Sequence, residues 1–161
     1  KWTTVAGIRE LYGKRPVRVP DSEVLKGAEE VVRHGGPTYT PVLSAGELLF
    51  LLARRVIAPA KSYEVPQVMG PTDEANETAT GSHGAINVGA IAREIVETVM
   101  SSGYLPPKLS RANGELSLEF VLLLLASHAI SPTAPPPEDK HAPSVEAIPG
   151  VGEAIENVKR Y

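Results

Sequence analysis

Apolar residues recur at helical spacing in four stretches of the chain, and Gly and Pro separate them. Val24, Leu25, Ala28, Val31 and Val32 follow Pro20-Asp21 every three or four positions, the period of a helix with one apolar stripe. Asp21 is the expected N-cap, with Ser22 and Glu23 in the first turn, and Gly35-Gly36-Pro37 is the expected stop. Thr38 to Leu43 must be extended or turn-like, because Pro41 disfavours helix before it. Ser44 and Glu47 then form a capping box. The helix they open, to about Ile57, is apolar on nearly every side from Leu48 to Ala53 and so belongs in a core.

A third helix is expected after Asn87, with Ile91, Ile95, Val96 and Val99 on one side and Gly103 and Pro106-Pro107 as its end. Ser117 caps a fourth, Leu118 to Ile130, which holds the longest apolar run, Phe120 to Ala126. A membrane span needs ~20 apolar residues, so this run reads as a buried helix. Outside these four, Val5, Ile8, Leu11 and Tyr12 suit a short N-terminal amphipathic turn, and a last short helix is expected near Gly152 to Lys159. The predicted organisation is an N-terminal segment (1–20), a first helical repeat (21–58), a polar linker (59–86), a second repeat (87–131), a Pro-rich spacer (132–144) and a C-terminal short helix (145–161).

The second and fourth helices align without a gap at an offset of 73: Ser44 with Ser117, Leu49 with Leu122, Leu51 with Leu124, Leu52 with Leu125, Ala53 with Ala126 and Ile57 with Ile130. Upstream, Pro37 matches Pro106, and Ala28 and Val31 match Ala92 and Ile95. Each unit has two helices and cannot bury its apolar second helix alone. The expected fold is therefore mainly α: two helix–loop–helix repeats packed as a four-helix core, with short extended loops and a Pro-rich C-terminal tail.

These residues carry a resemblance. Ala92, Ile95, Val99, Gly103 and Pro106, followed by Ser117 and the Phe120 to Ala126 run, resemble the pseudomurein-binding repeat of methanogen surface proteins and of pseudomurein-cleaving phage enzymes. In that family a Gly and Pro break ends the first helix, a Tyr and Val pair often follows, and an aromatic–Leu-rich helix closes the repeat. The first copy has Pro37 and Tyr39 in that place, but its first helix reads as about one turn short. The second copy has Lys108 where the Tyr would stand. The resemblance covers roughly residues 21–57 and 87–130. It implies a non-catalytic module that holds an attached domain to a cell-wall polymer, at the cell surface or outside the cell.

The chain has 161 residues with a net charge of −3, and it lacks Cys. The missing thiols exclude disulfides, Cys-ligated zinc, iron–sulfur clusters and a cysteine nucleophile. The acidic balance argues against a basic nucleic-acid-binding face. The chain begins at Lys1 rather than Met, which fits a removed export signal and equally an artificial boundary.

Catalytic chemistry finds no constellation. His34, His83, His128 and His141 fall in unrelated segments, no two have metal-ligand spacing, and no Gly-x-Ser-x-Gly elbow occurs. No cofactor or metal signature is legible, and an enzyme is not expected. Glu29-Glu30 reads as a solvated helix face, and Asp73-Glu74 and Gly81-Ser82-His83-Gly84 as parts of the polar linker. Ile148-Pro149-Gly150-Val151-Gly152 resembles the hairpin of a helix-hairpin-helix DNA contact. Glu156 and Lys159 stand where that motif needs apolar residues. The residues expected to meet a polymer are the polar, aromatic and basic ones in the loops between paired helices: Thr38, Tyr39, Thr40, Tyr104, Lys108 and Arg111. The two tyrosines would serve equally well as covers for helix ends. The competing expectation is a structural subunit of a surface assembly, self-associating through the linker and terminal segments.

Overall fold

A computed structural model describes residues 17–38, 40–71, 86–111, 114–133 and 135–137. The expected N-terminal amphipathic turn, the linker motifs at 73–74 and 81–84, His83, His141, the terminal helix and the 148–152 hairpin lie outside these residues. Four helices dominate: α1 (Asp21–His34), α2 (Ala45–Ile57), α3 (Val88–Ser102) and α4 (Leu118–Ile130). Two small antiparallel pairs accompany them, β1 (Val17–Pro20) with β2 (Ser62–Val65), and β3 (Leu109–Arg111) with β4 (Gly114–Leu116).

The helix boundaries follow local hydrogen-bond chemistry. Ser44 Oγ accepts from the Glu47 N–H at 3.3 Å, and Glu47 Oε2 accepts from the Ser44 N–H at 3.0 Å, so two orphan donors of α2 are satisfied reciprocally. Asn87 Oδ1 accepts from the Ala90 N–H, and Ser117 Oγ from the Phe120 N–H. Gly35 and Gly103 close α1 and α3 in the left-handed region, at φ 71° and 78°, each donating its N–H to a valine carbonyl four residues back. Only Gly adopts that conformation without strain.

One cap differs from expectation. Pro20, extended at φ −69° and ψ 152°, precedes the first turn of α1 without a side-chain cap, and Asp21 is the first helical residue. Its carboxylate is taken instead by Arg55 from the end of α2. The match between first helices also changes register. Aligned on their glycine caps, Val31 stands where Val99 stands, and Val24 where Ala92 stands. The pairing of Ala28 with Ala92 is one turn out. The first helix is not a turn short: α1 has 14 residues and α3 has 15.

The positions of the strand pairs were not legible in the residue pattern. Tyr63 and Val65, inside the segment read as polar linker, are buried against the helices together with Val19. In the register Val19↔Tyr63, Glu64 faces out and meets Arg18. This pair joins the residues before α1 to those after α2, at one end of the bundle.

The helices exchange partners between repeats. α1 packs on α4, α3 packs on α2, and α2 also packs on α4. Contact between α1 and α2 is smaller, and α3 and α4 make at most marginal contact. The Leu-rich helices α2 and α4 thus form the middle layer. Leu51, Leu52, Leu124 and Leu125 all belong to its single buried cluster. Gly27 allows the close approach of α1 to α2, since a Cβ there would lie 2.8 Å from Leu48 Cδ1.

Candidate functional site

The two loops that follow α1 and α3 open at the same end of the bundle. Gly46, in the first turn of α2, faces Leu105, the second residue past the Gly103 cap: a Cβ on Gly46 would lie 3.2 Å from Leu105 Cδ1 and 3.7 Å from Val68 Cγ1. The segment after β2 also reaches this end. Met69 donates its N–H to the Gly103 carbonyl at 2.9 Å, and Leu105 donates its N–H to the Met69 carbonyl at 3.0 Å. These bonds form an isolated parallel bridge between Met69 and Tyr104. The start of α2, the segment after β2 and the exit of α3 therefore meet at this end, and the loop from α1 leads into it.

In the first loop, Thr40 spends its hydroxyl on the turn. Its Oγ1 donates to the Leu43 carbonyl at 3.2 Å and accepts from the Leu43 N–H at 2.9 Å. This leaves Thr40 a poorer ligand contact than its residue type suggests. Thr38 is half-buried, and its Oγ1 is shielded without a hydrogen-bond partner among the described residues. Tyr39, between them, lies outside the described residues.

In the second loop, Tyr104 is exposed, and its N–H donates to Ser102 Oγ at 3.1 Å. Lys108 is exposed beside the β3–β4 hairpin. Leu109 and Leu116 face each other across that hairpin and are buried, which anchors it to the core. Arg111 pairs with Gly114 in the β3–β4 hairpin.

The same end carries residues that the residue pattern did not mark as candidates for binding. Val32 and Met100 stand at equivalent places before the two glycine caps and are both exposed, Met100 to 64%. Val42 in the first loop is exposed as well. Arg33 and His34 occupy the last turn of α1 and pair with Glu30, with His34 Nε2 at 3.3 Å from its carboxylate. The hydrogen bond from Arg33 holds the Glu30 carboxyl below its ordinary range. The signal for Val32 and Met100 was available: each extends an apolar stripe past its last buried valine.

His34 stands in the last turn of α1 and His128 in the last turn of α4. Among the described residues no three His, Asp or Glu side chains are grouped to hold a metal ion. No helix among them is long and apolar enough to cross a membrane.

No family model, curated protein or solved structure matches this chain. The likeness to the pseudomurein-binding repeat rests on the residue pattern alone.

Proposed function

We propose that this chain is a non-catalytic cell-envelope-binding module, acting at the cell surface or outside the cell, whose two repeats present their post-helix loops to a cell-wall polymer of glycan or peptide. The observation that carries this reading is the convergence of both loops on one end of the bundle, through the contact of Gly46 with Leu105. Two weak sites on one rigid body engage a repetitive polymer together, and avidity then exceeds either site by ~10²–10⁴. Tyr104 and Lys108 in the second loop, with exposed Val42 in the first loop and exposed Met100 before the Gly103 cap, supply aromatic, cationic and apolar contacts that suit sugars and peptides. Lys108 replaces the tyrosine of the resembled family, so the second loop is expected to bind more weakly than the first.

The test is co-sedimentation with purified wall fragments. Tyr39→Ala, Tyr104→Ala and Arg111→Ala, each checked by melting, should reduce the bound fraction. Variants that stay folded and sediment like the parent would remove these loops as the binding surface. A parent that sediments with no wall preparation would remove the wall-binding reading itself, and filaments or large assemblies in solution would then favour a structural subunit.

A further inference from the structure

The exchanged packing of the helices has a consequence for association that does not rest on wall binding. The three most extensive helix–helix packings cross from one half of the chain to the other: α1 on α4, α3 on α2, and α2 on α4. Within the second half, α3 and α4 make at most marginal contact, so that half has little core of its own. The halves match in plan. Each has a glycine-capped first helix and a serine-capped second helix. The second helices even end alike, at Ala58 (φ −144°, ψ 86°) and Ser131 (φ −141°, ψ 89°). Their interface is the kind that a two-fold pair of identical units makes.

The connection between halves also has a defined span. Met69 is fixed beside Gly103 at the exit of α3, whereas α3 begins at Val88. Met69 and Val88 therefore stand about the length of α3 apart, ~22 Å at helical rise. Residues 72–85 supply ample length for this.

We propose that a second copy of this chain is a direct partner, the first half of one chain closing on the second half of another through the same core that each chain forms within itself. Every contact between halves, the Met69–Tyr104 bridge included, is kept in such an assembly. Only the route of the connection changes.

Two experiments test this. In the first, two full-length variants carry Leu51→Asp and Leu124→Asp, one in each variant; both positions are buried, and a carboxylate there keeps the half that bears it from joining the shared core. Each alone loses its cooperative melt. Unfolded together and refolded as an equimolar mixture, they should regain a cooperative melt, about half the wild-type helical signal per chain, and the size of a dimer, since one intact body forms from each pair of chains. A mixture that stays at the average of the two separate variants overturns the proposal. In the second, residues 72–85 are deleted, so that Met69 to Val88 spans at most ~18 Å, too short for closure within one chain. The expected product is a dimer or a longer exchanged assembly with wild-type helical content. A native-like monomer, or a chain that does not fold at any concentration, counts against it.

Discussion

Arg55 grips Asp21: its Nε donates to Asp21 Oδ1 at 2.8 Å, and its Nη2 reaches Oδ2 at 3.5 Å. The pair ties the last turn of α2 to the first residue of α1, while the Asp21 N–H donates to the Lys61 carbonyl at 3.0 Å. Both side chains are only 26% exposed, so screening is partial. Arg55→Met should cost about 1 kcal/mol, as a charge-assisted pair near the surface does. A lower urea midpoint with an unchanged slope would report it. Lys at this position should not restore the loss, because an ammonium lacks the planar fork.

Leu124→Ala and Leu51→Ala should each cost ~2–5 kcal/mol, since both side chains are buried in the shared core and leave a cavity. In a domain of this size that is a large share of total stability. Ile130→Ala, at an exposed position on the same helix as Leu124, should change stability by less than ~0.5 kcal/mol. Thermal or urea unfolding of the three variants checks the contrast.

Gly35→Ala and Gly103→Ala should each cost about 1–2 kcal/mol, because the left-handed conformation strains any residue with a Cβ. The cost is conformational rather than steric at Gly35, which has nothing within 4 Å of a built Cβ. Gly36 has equal space and no positive φ. Gly36→Ala should therefore be neutral or stabilise by up to ~1 kcal/mol through the unfolded chain. Chemical unfolding of the three variants separates the two mechanisms.

Stability should decline in alkali partly through Tyr63. Burial pushes its phenol above the ordinary tyrosine value, and the charge of Asp21 adds to the effect. The folded protein then holds this proton more tightly than the unfolded chain does. The contribution is fully present below pH ~10 and is lost as pH rises through the folded-state value. Tyr63→Phe cannot ionise and should show a shallower decline above pH ~10, measured as unfolding free energy against pH. It also leaves the Ala60 N–H without its 2.9 Å bond to the tyrosine hydroxyl, so its stability at neutral pH should be lower.

Of the candidate loops, their place after each glycine cap and the presence of Tyr104 and Lys108 were legible in residue order. That Thr40 commits its hydroxyl to Leu43 was not legible. A threonine in a Pro-rich loop can face a ligand or its own backbone, and only the turn geometry chooses. The nearness of the two loops was equally hidden, because it depends on Leu105 settling against Gly46 from a distant part of the chain.

What the residues determined by themselves was local: the caps at Ser44, Asn87 and Ser117, the glycine ends at Gly35 and Gly103, and the four apolar periodicities. Each rests on hydrogen bonds or steric limits within about one helical turn, so residue type and spacing suffice. Tertiary structure decided the rest. β1 and β2 are four residues each and pair across two intervening helices; neither is stable alone, and only burial of Val19, Tyr63 and Val65 selects them. Asp21 became the partner of Arg55 rather than a cap because the end of α2 arrives beside it. The exchange of partners between repeats was likewise beyond a reading of periodicity. A helix with an apolar face specifies that the face be covered, and the summed burial of all four faces selects which helix covers it.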